Sequence, residues 1–194
     1  MDRKIILASK SPRRKELLSE FIRDFEIIPD NSDEVVDNSI PPEEAVRRIA
    51  AKKAENVEKK IDGSALIIAA DTVVFIDGVI MGKPTDEKNA KEMLRSLSGR
   101  EHHVCTGIAV IDTESGKTAS DFERTAVHFK HLSDDEIDRY IKTGEPMDKA
   151  GAYGIQNIGA LFVEGIKGDY FNVVGLPLCK LSQLLLNEFD FRLF

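Results

Sequence analysis

Six residues near the start of the chain, Ser9-Lys10-Ser11-Pro12-Arg13-Arg14, gather two hydroxyls and three cations in a short stretch. They follow an apolar run from Lys4 to Ala8 that reads as a buried strand, and Pro12 suits the first turn of a helix. A strand feeding a helix leaves backbone N–H groups pointing into the connecting loop, and cations beside them outline a phosphate site. An ordinary capped helix with a solvated basic first turn gives the same spacing. Against that simpler reading, cations in a first turn oppose the helix dipole and cost roughly a few tenths of a kcal/mol unless an anion visits.

A second cation stands out by its position on a helix. From Pro42 to about Lys60 the pattern is helical, with Val46, Ile49, Ala50 and Val57 in one apolar stripe and Lys53 near its centre, while Lys52 points elsewhere. A lysine facing a core either snorkels to an edge or meets an anion, because burying an unpaired ammonium is costly. In the second case Lys53 is a point charge able to hold a phosphate.

Asp71 is the acid to match. It ends six apolar residues, Ala65 to Ala70, and more apolar strand follows at Val73 and Val74. Open sheets place ligand sites at strand ends, where a carboxylate binds a divalent cation or activates a water; the alternative is an aspartate that stabilises a turn. Glu34, in an acidic loop with Asp30, Asp33 and Asp37, is a candidate second oxygen ligand for magnesium or manganese, although such loops are more often simply solvated.

Two further residues mean little alone. Lys83 is a cation on a proline-stiffened turn, Gly82-Lys83-Pro84, and Gln156 is an amide in a glycine-rich loop, able to donate and accept as reading a base edge requires. His102 and His103 have no third partner at a metal-like spacing and are read as structural or exposed. Cys105 and Cys179 are far apart and suggest two buried thiols rather than a disulfide or zinc site.

The elements that must position these residues follow from pattern. A second strand is expected at Phe25 to Pro29, a third at Ala65 to Ala70 that stops at Asp71-Thr72 and resumes at Val73 to Ile76, and a hairpin at Asp77-Gly78. Thr85 is expected to cap a helix bearing Ala90, Met93, Leu94 and Leu97, which Gly99 ends. His103 to Asp112 and Lys117 to His131 form an antiparallel pair about a Ser115-Gly116 turn, and Ser133 to Glu136 is a capping box opening a helix through Tyr140. Glu145 to Gly159 is irregular, Ala160 to Ile166 and Tyr170 to Val174 are expected as strands, and a last helix runs to about Glu188. This order indicates an α/β domain with a mixed sheet, residues 1–194 forming one domain.

Composition narrows the function classes. The chain has 194 residues, 42% hydrophobic and 31% charged, as expected of a globular protein. No apolar run reaches the roughly 18 residues of a membrane span, and no signal-peptide cleavage pattern follows Met1, so a cytoplasmic location is expected. The net charge of -7 opposes non-specific attachment to nucleic acid or anionic membrane, so a polyphosphate site must come from a few converging cations.

Five blocks, in order, resemble the Maf family of nucleotide pyrophosphatases over nearly the whole chain. They are Leu7 to Leu18, Ala69-Ala70-Asp71-Thr72-Val73-Val74, Gly82-Lys83-Pro84, Leu97-Ser98-Gly99-Arg100, and Asp148 to Gln156. The resemblance implies an α/β fold with a mixed twisted sheet, flanking helices and two lobes around a cleft, like that of inosine triphosphate pyrophosphatase (Maf/Ham1-like). It implies hydrolysis of dTTP and UTP, and of modified pyrimidine nucleotides, to the monophosphate and pyrophosphate, with a divalent cation such as magnesium or manganese. It makes Asp71 the proton acceptor and a metal ligand, places Ser9, Arg13, Glu34, Lys53 and Lys83 in a phosphate and metal cluster, and assigns base preference to Arg13, Thr72 and Gln156. The branch acting on 7-methyl-GTP looks different around the second arginine, after the aspartate and in the late loop. A homodimer, and a role in septum formation through nucleotide sensing or DNA contact, are further family expectations; the acidic net charge speaks against DNA binding.

Overall fold

Two parallel strands set the frame. In the computed structural model, which describes residues 3–31, 37 and 39–193, β1 (Lys4–Leu7) lies parallel to β3 (Ala65–Ile76), with Lys4 beside Ala65 and Leu7 beside Ile68. The residues of β1 after Lys4 and nearly all of β3 are buried, which is why both read as continuous apolar runs rather than alternating ones. Helix α1 (Pro12–Ser19) follows β1, and the short β2 (Glu26–Ile27) returns parallel to its other edge. Helix α2 (Pro42–Glu58) makes the crossover to β3.

β3 turns at Asp77-Gly78, both at positive φ (51° and 78°), into the antiparallel β4 (Val79–Met81). Helix α3 (Glu87–Leu97) follows, then β5 (Glu101–Asp112) and β6 (Lys117–Phe129). β5 and β6 are neighbours in the sheet, and a four-residue link permits only an antiparallel arrangement. Helix α4 (Asp134–Ile141) opens with the expected capping box at Ser133 and Glu136. Three short 3-10 turns, Glu145–Asp148, Ala150–Ala152 and Asn157–Phe162, lead to β7 (Val163–Lys167), antiparallel to β6. Helices α5 (Tyr170–Val174) and α6 (Leu178–Phe189) close the chain. The seven strands form one mixed sheet in the order β2-β1-β3-β5-β6-β7, with β4 on β3.

Four local expectations are corrected. β3 does not stop at Asp71-Thr72 but runs through them, since a ladder of backbone bonds tolerates a polar side chain that has its own partner. Asp86, not Thr85, caps α3: its Oδ1 accepts the Asn89 N–H at 2.7 Å, while the Thr85 N–H donates to Asn89 Oδ1. Tyr170 to Val174 is helical rather than extended, because Asp169 Oδ1 accepts the Phe171 N–H at 2.8 Å and starts a turn that overrides strand propensity. Ala160 to Phe162 belongs to a 3-10 turn, so β7 starts only at Val163.

The chain falls into two compact units, neither of them a continuous segment. The first comprises residues 1–71, 106–123 and 175–194; the second comprises 72–105 and 124–174, so β3, β5 and β6 each give one part to either unit. The first unit's core joins Ala50, Ala54 and Val57 of α2 to Ile67 and Ala69 of β3, Ile6 and Ala8, and Ala109 and Ile111 of β5. The second unit's core gathers Leu94 and Leu97 of α3, Ile137 and Tyr140 of α4, Phe129, Tyr153 and Phe162. Among the described residues, no helix is long and apolar enough to cross a membrane.

Candidate active site

The period of β3 delivers Asp71. Ala65, Ile67, Ala69 and Asp71 share one face of the strand, and the first three lie under α2 in the first unit's core. On α2, Lys53 lies one turn from both Ala50 and Val57, on the stripe that covers that face. The lysine therefore has nowhere to go but toward the carboxylate. Its Nζ donates to Asp71 Oδ1 at 2.6 Å, with Lys53 8% and Asp71 5% exposed. Of the two readings the sequence left open, the one in which Lys53 meets an anion describes the molecule. A buried pair of this kind is held less by net Coulomb gain than by the cost of leaving either charge alone.

Close approach of α2 to the sheet depends on Gly107 of β5. A Cβ there would lie 2.4 Å from the carbonyl carbon and oxygen of Val46, backbone atoms that cannot step aside. Val46 and Lys53 stand two helical turns apart on the same side of α2, so this contact fixes the height from which Lys53 reaches.

β1 ends beside the middle of β3, the Ala8 N–H donating to the Ile68 carbonyl at 2.8 Å, so Ser9 leaves the sheet alongside the part of β3 that carries Asp71. Ser9 is 7% exposed, and its Oγ accepts the Ser11 N–H and Arg14 Nη1, each at 3.2 Å. Ser11 caps α1 by accepting the Arg14 N–H, and Pro12 occupies the first turn as expected. Arg14 is the residue that sequence reasoning passed over in favour of Arg13. Its Nε donates to the Gly175 carbonyl at 2.7 Å, so one guanidinium joins the β1–α1 loop to the segment preceding α6. Its place in the first helical turn was the available signal. Arg13 is half-buried on the same turn.

The second unit brings together a separate set. The Gly151 N–H donates to the Gly82 carbonyl at 3.0 Å, which sets the exposed Lys83 turn beside the loop that leads to Gln156. Gly151 has φ of 67°, and a Cβ on it would come within 2.9 Å of the Val74 side chain, so only glycine allows the loop to lie on β3. Thr72 is half-buried at the start of this unit's part of β3, and Gln156 is half-buried just before the last 3-10 turn.

Glu34 lies outside the described residues. Its neighbour in the acidic stretch, Asp30, is turned toward α2, accepting from Asn56 Nδ2 at 3.2 Å and pairing with Lys60 at 3.8 Å. Among the described residues no three His, Cys, Asp or Glu cluster as ligands for a metal. Asp71 is of the donor type magnesium takes from a protein, a carboxylate oxygen.

His102 is structural. It is fully buried, its Nε2 lies 2.7 Å from the Tyr153 hydroxyl, and burial pushes its pKa down to about 4, leaving it neutral; burial likewise pushes Tyr153 up. Cys105 is buried as expected, but Cys179 is exposed, because its position on α6 faces away from the buried stripe of Leu178, Leu181 and Leu185.

An α/β domain with a buried Lys–Asp pair between a helix and its central strand, and a basic strand-to-helix loop following the neighbouring parallel strand, has the build of a nucleotide-handling protein. Residues 4–188 match the family model described as Maf-like protein, and the chain belongs to that family. It is 51% identical over 186 residues to the dTTP/UTP pyrophosphatase of Caldicellulosiruptor saccharolyticus, covering 94% of each chain. It is 52% identical over 190 residues to the protein of that name from Alkaliphilus metalliredigens, covering 98% of each, and 53% identical over 185 residues to that of Clostridium beijerinckii, covering 94% and 97%. Among solved structures, the Staphylococcus aureus Ham1 protein aligns with TM-score 0.44 at 14% identity, covering 66% of this chain and 72% of its own. The Mycobacterium abscessus nucleoside-triphosphatase / dITP/XTP pyrophosphatase aligns with TM-score 0.42 at 15% identity, covering 66% and 75%. A likeness at that level speaks to no shared chemistry.

Proposed function

We infer that this protein hydrolyses dTTP and UTP at the bond between the α and β phosphates, releasing the nucleoside monophosphate and pyrophosphate. The observation that carries the reading is the buried pair of Lys53 on α2 and Asp71 within β3, in a chain half identical to several dTTP/UTP pyrophosphatases over nearly its full length. In this reading Asp71 accepts the proton of the attacking water, and Lys53 orients that carboxylate and lends positive charge to the phosphates. Ser9 and Arg13 bind phosphate at the start of α1, with Arg14 bracing the loop, and Lys83 steadies charge on the departing pyrophosphate. Arg13, Thr72 and Gln156 set the preference for a pyrimidine base. Asp71, with Glu34 as the second carboxylate, holds magnesium or manganese, which when bound supplies charge neutralisation on the triphosphate.

Pyrophosphate release should be measured for dTTP, UTP, CTP, GTP and 7-methyl-GTP, with magnesium, with manganese and with chelator. Metal-dependent turnover that favours dTTP and UTP is the expected result. Equal rates on all five, or none on dTTP, would overturn the assignment.

A further inference from the structure

The irregular segment after α4 is held by a carboxylate with three donors. Glu145 Oε1 accepts the Tyr140 hydroxyl at 3.0 Å and the Gly159 N–H at 3.2 Å, while Oε2 accepts the Ile158 N–H at 3.3 Å. The Tyr140 hydroxyl in turn accepts the Gly154 N–H at 3.4 Å. Glu145 and Tyr140 therefore grip one loop at both ends, at Gly154 and at Ile158-Gly159, and Gln156 lies between the grips. The ends touch: a Cβ on Gly159 would sit 2.2 Å from the Gly154 carbonyl oxygen and 2.9 Å from the Tyr140 hydroxyl.

Asn157, next to Gln156, has φ of 56°, in the left-handed region that asparagine, after glycine, enters most readily. The anchors that grip the loop are themselves tied down. Tyr140 is 2% exposed, edge-on to Phe162, and the Glu145 backbone is tied through its carbonyl to Lys149 Nζ at 2.6 Å and through its N–H to Thr143 Oγ1 at 3.2 Å. Among the described residues the Gln156 side-chain amide has no hydrogen-bond partner. A fixed backbone carrying an amide that the protein itself does not engage is suited to a ligand group that both donates and accepts.

We propose that Glu145 and Tyr140 are positioning residues for base selection, clamping the Gly154–Gly159 loop so that Gln156 meets the pyrimidine edge in one orientation. This deepens the functional reading above and rests on it. The side chains of Glu145 and Tyr140 act through the loop and touch no phosphate, so their loss should weaken discrimination and binding far more than turnover.

The test compares the unmodified chain with Glu145→Ala, Glu145→Gln and Tyr140→Phe, measuring kcat and KM on dTTP, UTP and CTP together with hydrogen exchange of the Gly154, Ile158 and Gly159 amides. For Glu145→Ala, KM for dTTP should rise about tenfold, the factor one lost charge-assisted hydrogen bond carries, with kcat within about twofold. The dTTP-over-CTP ratio of kcat/KM should fall by a similar factor, and the Ile158 and Gly159 amides should lose protection. Glu145→Gln, which keeps an acceptor oxygen, should recover part of the ratio, and Tyr140→Phe should lower it while deprotecting Gly154. If the alanine variant does not fold, the two conservative variants decide. A ratio unchanged within about twofold in folded variants whose loop amides have lost protection would overturn the proposal. Unchanged protection would overturn it equally, by showing that there is no clamp. Failure of the unmodified chain to act on dTTP would instead remove the functional reading itself.

Discussion

Neutralising Asp71 without changing its shape probes the pair on which the site is built. Asp71→Asn leaves Lys53 charged, with side chains on both sides of the contact about nine-tenths buried (10% and 7% exposed) and the original separation only 2.6 Å. Removing one member of a buried ion pair costs about 3–5 kcal/mol, chiefly because the survivor stays buried without its counter-charge. Asparagine retains an acceptor oxygen for the ammonium, so the lower end, about 3 kcal/mol, is expected, equivalent to a fall in Tm of about 6–12 °C for a chain of this size. Lys53→Met takes the ammonium away from the buried Asp71 carboxylate and should cost a similar amount. The double variant buries no unpaired charge and should lose less than the two singles together, by about 2–3 kcal/mol. Urea unfolding of all four proteins in the presence of chelator measures this, and pyrophosphate release from dTTP in parallel should fall at least about 100-fold in every variant. Single-variant costs that add to within about 0.5 kcal/mol would show that the two residues do not interact, and the derivation of the site from strand period and helix stripe would be wrong.

Three other perturbations address the scaffold. Gly107→Ala forces α2 off the sheet at Val46 and should cost about 1–3 kcal/mol in urea unfolding; because α2 carries Lys53, turnover should fall with it, and an alanine variant of normal stability would refute the close approach. Asp190→Gly should stabilise by about 1 kcal/mol, read as a Tm rise, since Asp190 ends α6 at φ 49° beneath a Phe191 N–H to Leu185 carbonyl bond of 3.1 Å, where glycine is favoured and a negative charge opposes the helix dipole. His102, with its pKa lowered from 6.5 to about 4 by burial, is neutral in the fold but takes a proton in the unfolded chain below about pH 6.5. Its contribution is present in full above pH 6.5 and is lost as pH falls toward 4, up to about 3 kcal/mol over that window. His102→Gln should remove that part of the slope when stability is measured from pH 7 to pH 4, and an unchanged slope would count against the shift.

Much of the site was visible in the chain. Apolar stripes and runs are written in the linear order of residues, so the helix from Pro42, the buried strands at Lys4 and Ala65 and the capping box at Ser133 followed from periodicity and cap chemistry. The same periods singled out Lys53 and Asp71, because a charge inside an apolar pattern violates the pattern wherever the element packs. Local errors fell where a side chain a few residues away competes with propensity, as Asp86 does at α3 and Asp169 at α5.

Sequence alone marked the apolar faces of the main elements and the charges that interrupt them, Lys53 and Asp71, since both bear on transfer out of water. Only the tertiary structure decided what those partners are. That Lys53 meets Asp71, that Arg14 rather than Arg13 braces the first loop on Gly175, and that Glu145 reaches across to Gly159 all depend on distances between elements far apart in the chain. The physical reason is one of range: hydrophobic period and capping act over a few neighbouring residues, whereas a hydrogen bond is sensitive to a few tenths of an ångström between groups that packing alone brings together.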